Sequence, residues 1–566
     1  MRAVGLCAVL LAVPLTCLSQ DASTAIKVDQ VGYKPTAPKL ALITRPAKTF
    51  VLRRAGVAGN AFEGTLGPPV VDPDTGDLVQ TADFSALNQP GDYYIEVPGV
   101  GRSAAFRIAP DVYVRTFRLA ARAFYGQRCG TAVDLAPEFP GYSHPACHLN
   151  GQFHPSSGKS GPRQTAGGWH DAGDYGRYLP TSGIATGTLL WSYELFGSRL
   201  KTENLAIPES GNGTPDILNE ARWNLAWMLT MQDDDGGVWH KQTSEKFPEF
   251  IPPQDDHLPS VIVGTGSTPF KSTCATADLA AVAAIAARVY APFDKAFAER
   301  NLKAAQAAWN WTAKYPNVIF KNPAGVSTGE YGDGDCTDER LWAAAELWRT
   351  TGDSTYNRYF VENYSGFMKV LEGPAQDDWS QLAPLALWSY ALAKQPGTDL
   401  KVQAAIREAA IAAAKKIVVR TKANSYRVSL GRNEYIWGSN GIAAGYGRQL
   451  LIANAIAPDP AFVEAALDNL HYLLGRNTFA LSWVTQVGSN SYRHPHHRPS
   501  GSDKNAEPWP GLLSGGPNAK RQDDLLKKLP DLPPAKIYVD DQDSYAGNEV
   551  AINWQAALVF LVAGVM

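Results

Sequence analysis

The sequence predicts two domains, a small β-sandwich followed by a larger all-helical barrel or toroid, and three observations carry that expectation. The chain has 566 residues, beyond the length at which one hydrophobic core stops growing and chains divide. Up to about Ala109 the apolar residues fall in short β-rich runs broken by Gly, Pro and Asp. After Pro110 they fall in Ala-rich stretches of helical length and period.

The elements follow in order. Arg2 supplies a positive start, Ala3–Leu15 an apolar run interrupted by Pro14, and Ser19 a small residue before a cut, so residues 1–19 read as an export signal. The protein is therefore expected to be secreted or periplasmic. That run is too short to cross a bilayer, and the apolar tail Ala556–Met566 is shorter still and reads as a buried final helix; no membrane span is expected. Residues 24–109 carry the strand-like runs Lys39–Thr44, Phe50–Arg53, Tyr93–Val97 and Ala104–Ile108, with turn chemistry at Asn88–Asp92. No ionisable groups cluster there, so this domain is expected to pack rather than to react. From residue 110 to 566 helical stretches recur: Val112–Tyr125, Ile184–Phe196, Ile217–Met231, Thr276–Tyr290, Leu302–Trp311, Glu339–Thr350, Leu382–Ala393, Val402–Val419, Ile442–Ile456, Phe462–Leu474 and Glu549–Ala563. Helix pairs with no regular strands between them argue for a barrel or toroid, and the lack of a fixed repeat disfavours a solenoid. The polar loops Pro155–Tyr178, Gly329–Asp338, Gln486–Pro517 and Tyr538–Asn548 are longer than ordinary connections, and function concentrates in such loops.

Composition excludes some roles. With 45% hydrophobic and 19% charged residues and a formal net charge of −3, the chain is an ordinary globular protein without the positive charge that holds phosphate backbones, so no nucleic-acid partner is expected. Its 15 Trp and 23 Tyr favour a carbohydrate site, because sugar rings present flat C–H faces that stack on indoles; any single ring is as well explained by the core. Removing Cys7 and Cys17 with the signal leaves Cys129, Cys147, Cys274 and Cys336, too few for a disulfide framework but enough for one bridge or a metal site.

Two acidic motifs stand out. Gly167–Gly176 packs Asp171 and Asp174 with two aromatics and four Gly; it reads as a hydrogen-bonded turn, or as two carboxylates gripping one water. Tyr538–Glu549 ends an acidic, aromatic loop with Glu549 at the start of an apolar helix. That position suits the helix dipole, and also a general acid whose pKa is raised by burial and like charge. Between them, Arg493–Arg498 gathers three His and two Arg, suited to hydroxyl and carboxylate recognition, to a metal, or to a solvated basic loop. Cys129, Cys147, His148 and His170 could form a tetrahedral Zn²⁺ set, with free cysteines and a core His as the alternative. Asp333, Asp335, Asp338 and Glu339 offer the oxygen ligands Ca²⁺ prefers, or a solvated loop capping a helix.

These motifs resemble glycoside hydrolase family 9 over nearly the whole chain. Gly167–Tyr178 is similar to its base-bearing motif. Ser482, Val484, Thr485, Gly488, Asn490, Pro495, His496 and Arg498 fit its His-containing signature, and Tyr538, Asp540, Tyr545, Glu549 and Ala551 its acid-bearing signature. The start, Val28–Tyr33, resembles the Ig-like domain of one branch. The resemblance implies an (α/α)6 barrel and inverting hydrolysis of β-1,4-glucans. Asp174 is then the base, Asp171 its helper and Glu549 the acid, roughly 6.5–9.5 Å from the base. It places His496, Arg498, Asp540 and Tyr545 where sugar is bound or the carboxylates are tuned. It implies a structural zinc on the Cys/His set, a calcium on the Asp333–Glu339 loop with Asp378, and a second calcium on Glu209, Asn212 and Asp216. Gln555 departs from the family's Asn, leaving a neighbour of the acid open. The expected activity is an endoglucanase acting as a monomer. Exo-acting relatives (β-glucosidase, cellobiohydrolase, glucosaminidase) and a non-catalytic glycan binder are the alternatives. Asp503–Trp509 and Pro155–Arg163 are candidate walls across the cleft, and no separate cellulose-binding module is evident.

Overall fold

The computed structural model describes residues 22–373 and 378–566; the export signal expected at residues 1–19 lies outside them. The N-terminal domain is a sandwich of two sheets. One has the order Ile26–Lys27, Leu40–Ile43, Leu78–Asp83, Val70–Val71. The other runs Gly32–Tyr33, Phe106–Ile108, Gly91–Val97, Thr49–Arg54, Phe62–Thr65, with Gly101–Arg102 against Gly91–Val97. Alternation sets the inner face: in Gly91–Val97, Tyr93, Ile95 and Val97 are buried while Asp92, Tyr94 and Glu96 are not. Tyr33, Phe50, Leu52, Phe84 and Phe106 complete this core.

Among the described residues the second domain has twelve long helices. They are α1 Val114–Gly126, α2 Leu179–Leu200, α3 Asp216–Thr230, α4 Thr273–Tyr290, α5 Lys295–Lys314, α6 Thr337–Thr351, α7 Ser354–Asn363, α8 Ala383–Ala391, α9 Leu400–Ala423, α10 Ser439–Ile456, α11 Pro460–Leu473 and α12 Ile552–Val565. The even-numbered helices form an inner ring: α2 packs on α4, α4 on α6, α6 on α8 and α10 on α12. α12 returns to α2, and α9 bridges α8 and α10. The odd-numbered helices lie outside, giving the (α/α)6 barrel. The inner helices are buried on most faces, α4 and α6 carrying the carboxylates Asp278, Asp338, Glu339 and Glu346 inside. α4 has the length and hydropathy of a membrane span, yet is almost wholly buried in the barrel. Outer helices carry polar faces and side-chain caps, Asp294 on Phe297 N and Asp399 on Lys401 N and Val402 N.

Two expectations are corrected. The barrel domain does contain strands. A five-stranded sheet runs Pro162–Arg163, Gly151–Phe153, Val261–Val263, Lys241–Thr243, Arg177–Tyr178, its members only two or three residues long and so without a readable period. Glu549 does not open the last helix. It is extended (φ −64°, ψ 150°) after the helical turn Tyr545–Asn548, and α12 begins three residues later. A β-bridge to His496 holds it out of the helix.

The sandwich contacts the segments that lead into the barrel's long loops. The Gln30 side chain donates to the Ala480 carbonyl at 2.9 Å and accepts from Asn490 N at 2.7 Å. Asp29 meets His471 at 2.8 Å, and Asp77 meets Lys536 at 2.6 Å.

Candidate active site

Two loops nearly four hundred residues apart in sequence meet at one end of the barrel. The turn His170–Gly176 closes on itself through Asp171 N to the Gly176 carbonyl at 2.9 Å. The Asp171 carbonyl accepts from Ile552 N at 2.9 Å, pinning this turn to the start of α12. Arg498 donates from its backbone N and its Nη1 to the Gly173 carbonyl, at 3.1 and 2.8 Å. A glycine is required there: a Cβ on residue 173 would lie 2.0 Å from the His496 carbonyl oxygen.

The two aspartates differ in setting. Asp171 is buried, with Oδ1 taken by the Thr181 hydroxyl and Oδ2 accepting from the Tyr331 hydroxyl at 2.5 Å. Burial, helped by the neighbouring Asp174 carboxylate, pushes its pKa up to about 7. Asp174 accepts on Oδ2 from Gly176 N at 2.9 Å and from the Tyr178 hydroxyl at 3.1 Å. Its Oδ1 has no hydrogen bond among the described residues. Glu549 is half-buried, its carbonyl fixed by Gly515 N at 2.8 Å. Burial and then the Asp174 and Asp171 charges hold its carboxyl well above the usual range, against the pull of Arg498 and a hydrogen bond with Trp437.

Beside these groups lies a cavity of about 390 Å³, lined by Glu549, Tyr331 and three half-buried indoles, Trp379, Trp437 and Trp554. Sequence reasoning named none of these rings. The high Trp count was a signal, but nothing in the local pattern separates them from the fully buried Trp169, Trp227 or Trp239. Of the residues expected to touch sugar, Tyr545 keeps an exposed ring 5.4 Å from Trp437. His496 directs Nδ1 to the Gln542 carbonyl at 2.8 Å. Arg498 and Asp540 are tied within the protein, and the Arg498 charge acts on Glu549. Arg498 holds the Gly173 and Pro248 carbonyls, and the Asp540 carboxylate accepts from Arg493 N, His494 N and Asn548 Nδ2. Gln555 accepts from Leu513 N and donates to the Ala120 and Gly511 carbonyls. Neither candidate wall lines the cavity. Trp509 is buried against His144 and Tyr142, and Lys159 and Arg163 bind Asp233 and the Thr230 and Gln232 carbonyls.

Three metal sets were expected. Cys129, Cys147, His148 and His170 bring one ligand atom each within 4.8 Å of one another. Both cysteines are free and buried, and Nδ1 of both histidines is buried without a hydrogen bond, so the set fits a tetrahedral metal. His148 Nε2 is oriented by Asp256 at 3.1 Å. Cys129 N donates to the Gly168 carbonyl at 2.9 Å, so this set braces the aspartate turn. Around Asp333, Asp338 and Glu339 the orphaned oxygens are Asp333 Oδ2 and both of Glu339. Asp278 on α4, missed in the sequence as one more residue of an Ala-rich helix, adds two more. Asp338 caps α8 through Leu382 N and Ala383 N. Asp335 accepts from Thr337 N and Asp378 from Ser380 N. Buried carboxylate oxygens without partners suit a hard cation. Cys274 and Cys336 form a disulfide beside Glu339. In the third set Glu209 forms a two-pronged ion pair with Arg128, Asp216 accepts on Oδ2 from Leu205 N and Ser210 Oγ, and Asn212 pairs with Asn219.

Glu549 lining a tryptophan-walled cavity in an (α/α)6 barrel, with the charges of Asp174 and Asp171 from a distant loop acting on it, defines a glycoside hydrolase. Residues 113–562 match glycosyl hydrolase family 9, and residues 21–102 match the cellulase N-terminal ig-like domain. The chain belongs to glycosyl hydrolase family 9. Endoglucanase D of Acetivibrio thermocellus is 38% identical over 95% of this chain and 83% of its own length. A cellodextrinase of Butyrivibrio fibrisolvens is 34% identical over 96% and 99%. The crystal structure of the family 9 endoglucanase J30 superposes with a TM-score of 0.88 at 36% identity, covering 94% of this chain and 99% of that one.

Proposed function

We propose that the chain is an exported, inverting endo-β-1,4-glucanase. The observation that carries the reading is the contrast among three carboxyls that act on one another, of which Glu549 lines the cavity. Glu549 is held well above the usual carboxyl range and so keeps a proton to give. Asp174 has one oxygen open. Asp171 has both oxygens already engaged by hydroxyls. Glu549 protonates the glycosidic oxygen as the bond breaks. Asp174 Oδ1 takes a proton from the water that attacks the anomeric carbon from the opposite face, and Asp171 holds that water through its remaining lone pairs. Trp379, Trp437, Trp554 and Tyr545 stack on sugar rings. His496, its Nδ1 proton on Gln542, offers Nε2 to a sugar hydroxyl.

Zinc on Cys129, Cys147, His148 and His170 would be structural, holding the turn that follows His170. Calcium on Asp333, Asp338, Glu339 and Asp278, beside Asp335 and Asp378, would neutralise carboxylates that otherwise repel. The Cys274–Cys336 disulfide suits an oxidising compartment and supports export. A product profile over time on a cello-oligosaccharide ladder, with chito-oligosaccharides alongside, tests the reading. Internal cleavage of the longer glucans is expected. Release of a single product size from one end overturns endo action, and turnover of chito-oligosaccharides alone overturns the substrate class. Asp174→Ala retaining near-normal turnover overturns the carboxylate roles.

A further inference from the structure

Lys241 is fully buried on the strand Lys241–Thr243 and forms no ion pair among the described residues. Its ammonium is surrounded by oxygens of a single neighbouring segment: Asn322 Oδ1 at 2.7 Å, Thr328 Oγ1 at 3.1 Å, and the Thr328 and Gly329 carbonyls at 3.3 and 2.7 Å. An ammonium has three donors, and these acceptors use all of them. Asp174 and Glu330 are the charged groups that face it, and burial lowers its pKa to about 7.

Two paths lead from this ammonium to the two aspartates. Across the sheet, Lys241 pairs directly with Tyr178, its Nζ 5.6 Å from the ring centre, and the Tyr178 hydroxyl donates to Asp174 Oδ2. Along the bound segment, Gly329 lies two residues before Tyr331, whose hydroxyl donates to Asp171 Oδ2. Tyr331 has φ 44°, a left-handed conformation that a bulky side chain keeps only when its surroundings impose it. The surroundings here are the Lys241 ammonium, the His240 Nε2 contact with the Glu330 carbonyl at 2.9 Å, and the Tyr178 and Trp379 rings on either side.

We propose that Lys241 is a positioning residue for the hydrolytic reaction, its ammonium fixing the Thr328–Gly329 backbone so that the Tyr331 hydroxyl stays on Asp171, beside Asp174. The proposal rests on the reading that these two aspartates act on the attacking water. It explains why the ammonium hydrogen-bonds to neutral oxygens although Asp174 and Glu330 face it: the group it serves is backbone.

The test is a double-mutant cycle in the full-length protein, with kcat and KM measured on cellohexaose and folding checked by melting temperature. Lys241→Met keeps the aliphatic stem and removes the donors; Tyr331→Phe keeps the ring and removes the hydroxyl. Lys241→Met is expected to lower kcat roughly tenfold to a hundredfold, the scale set by small misplacements of reacting groups, with KM little changed. In the Tyr331→Phe background the same change is expected to cost little more, because both act through one hydrogen bond. Losses that multiply, or a rise in KM with kcat intact, overturn the proposal. If Lys241→Met does not fold, Thr328→Val removes one acceptor at constant shape; its smaller kcat loss should likewise vanish in Tyr331→Phe, and multiplication again overturns the proposal. Asp174→Ala separates the two readings: normal turnover there sinks the aspartate roles, whereas an inactive Asp174→Ala with multiplying losses sinks the Lys241 role alone.

Discussion

Replacing Glu549 by Gln removes a transferable proton and almost nothing else. The side chain keeps its length, and the backbone around it is held by groups the change does not touch: Gly515 N on its own carbonyl, His496 N on the Asn548 carbonyl, and Ile552 N on the Asp171 carbonyl. General acid catalysis contributes about 10²–10⁴ in rate, or about 2.7–5.4 kcal/mol at 1.36 kcal/mol per decade. The full effect is expected on cellohexaose, whose alkoxide leaving group needs the proton. On dinitrophenyl cellobioside, whose phenolate leaves unaided, the loss should stay under about tenfold. The pH dependence has a definite sign. Because the Glu549 pKa is raised, the acid form is present below it, and wild-type kcat/KM on cellohexaose falls as pH rises through that value. This basic limb should disappear from the variant's profile on the aryl substrate. Stability follows the same linkage. A carboxyl with a raised folded pKa contributes stability fully present below its unfolded pKa and lost as pH rises toward the folded one. Glu549→Gln should therefore melt higher relative to wild type at about pH 8 than at about pH 4. Equal losses on both substrates would show that Glu549 is not the proton donor.

Three further outcomes are expected. If Asp174 activates water opposite the leaving group, proton NMR in the first minutes finds the α-anomer from a β-glucan; Asp171→Asn slows the reaction without changing the anomer, and β-product first refutes the base assignment. Chelation should lower the melting temperature before it touches chemistry, because the orphaned Cys/His and carboxylate groups lie behind the aspartate turn and at the start of α6; protein prepared without chelator and lacking both zinc and calcium refutes this. The Cys274–Cys336 bridge spans 62 residues. On the chain-entropy scale such a bridge adds about 4 kcal/mol, roughly 4–5 °C for a barrel this size. Cys274→Ala/Cys336→Ala should melt lower by that order, and an unchanged melting point, or four free thiols by mass in the wild type without residues 1–19 rather than the two of Cys129 and Cys147, contradicts the bridge.

Much of this architecture was legible in advance, and the limits have physical causes. The helices were readable because an Ala-rich, uniformly apolar stretch has few alternatives once it is too long for a strand. Asp171, Asp174 and Glu549 stood out because a site must break helical patterning with Gly and acid to expose carboxylates. Tyr178, Tyr331 and Lys241 did not, since their role depends on a sheet whose strands are two or three residues long. Asp278 sits mid-helix in an alanine run, and only the approach of α4 to α6 gives its carboxylate a meaning. Glu549 was placed on a helix because the apolar run begins at Val550; the competing bridge to His496 lies more than fifty residues away in sequence. Glu209, Asn212 and Asp216 have cation-binding chemistry as a string of letters, and only the fold shows that Glu209 is paired with Arg128.

The return of α12 onto α2 has a consequence for how the protein comes into being. The inner ring is closed in space but a line in synthesis, and its last stave is made last. Asp171 and Asp174 are held in part by Ile552 at the head of that stave, and Glu549 lies just before it. A growing chain therefore carries its aspartates for almost four hundred residues of translation before the partner carboxyl exists, and no shorter piece holds both halves of the reaction. On the proposed carboxylate roles, hydrolytic power arrives in one step, at ring closure.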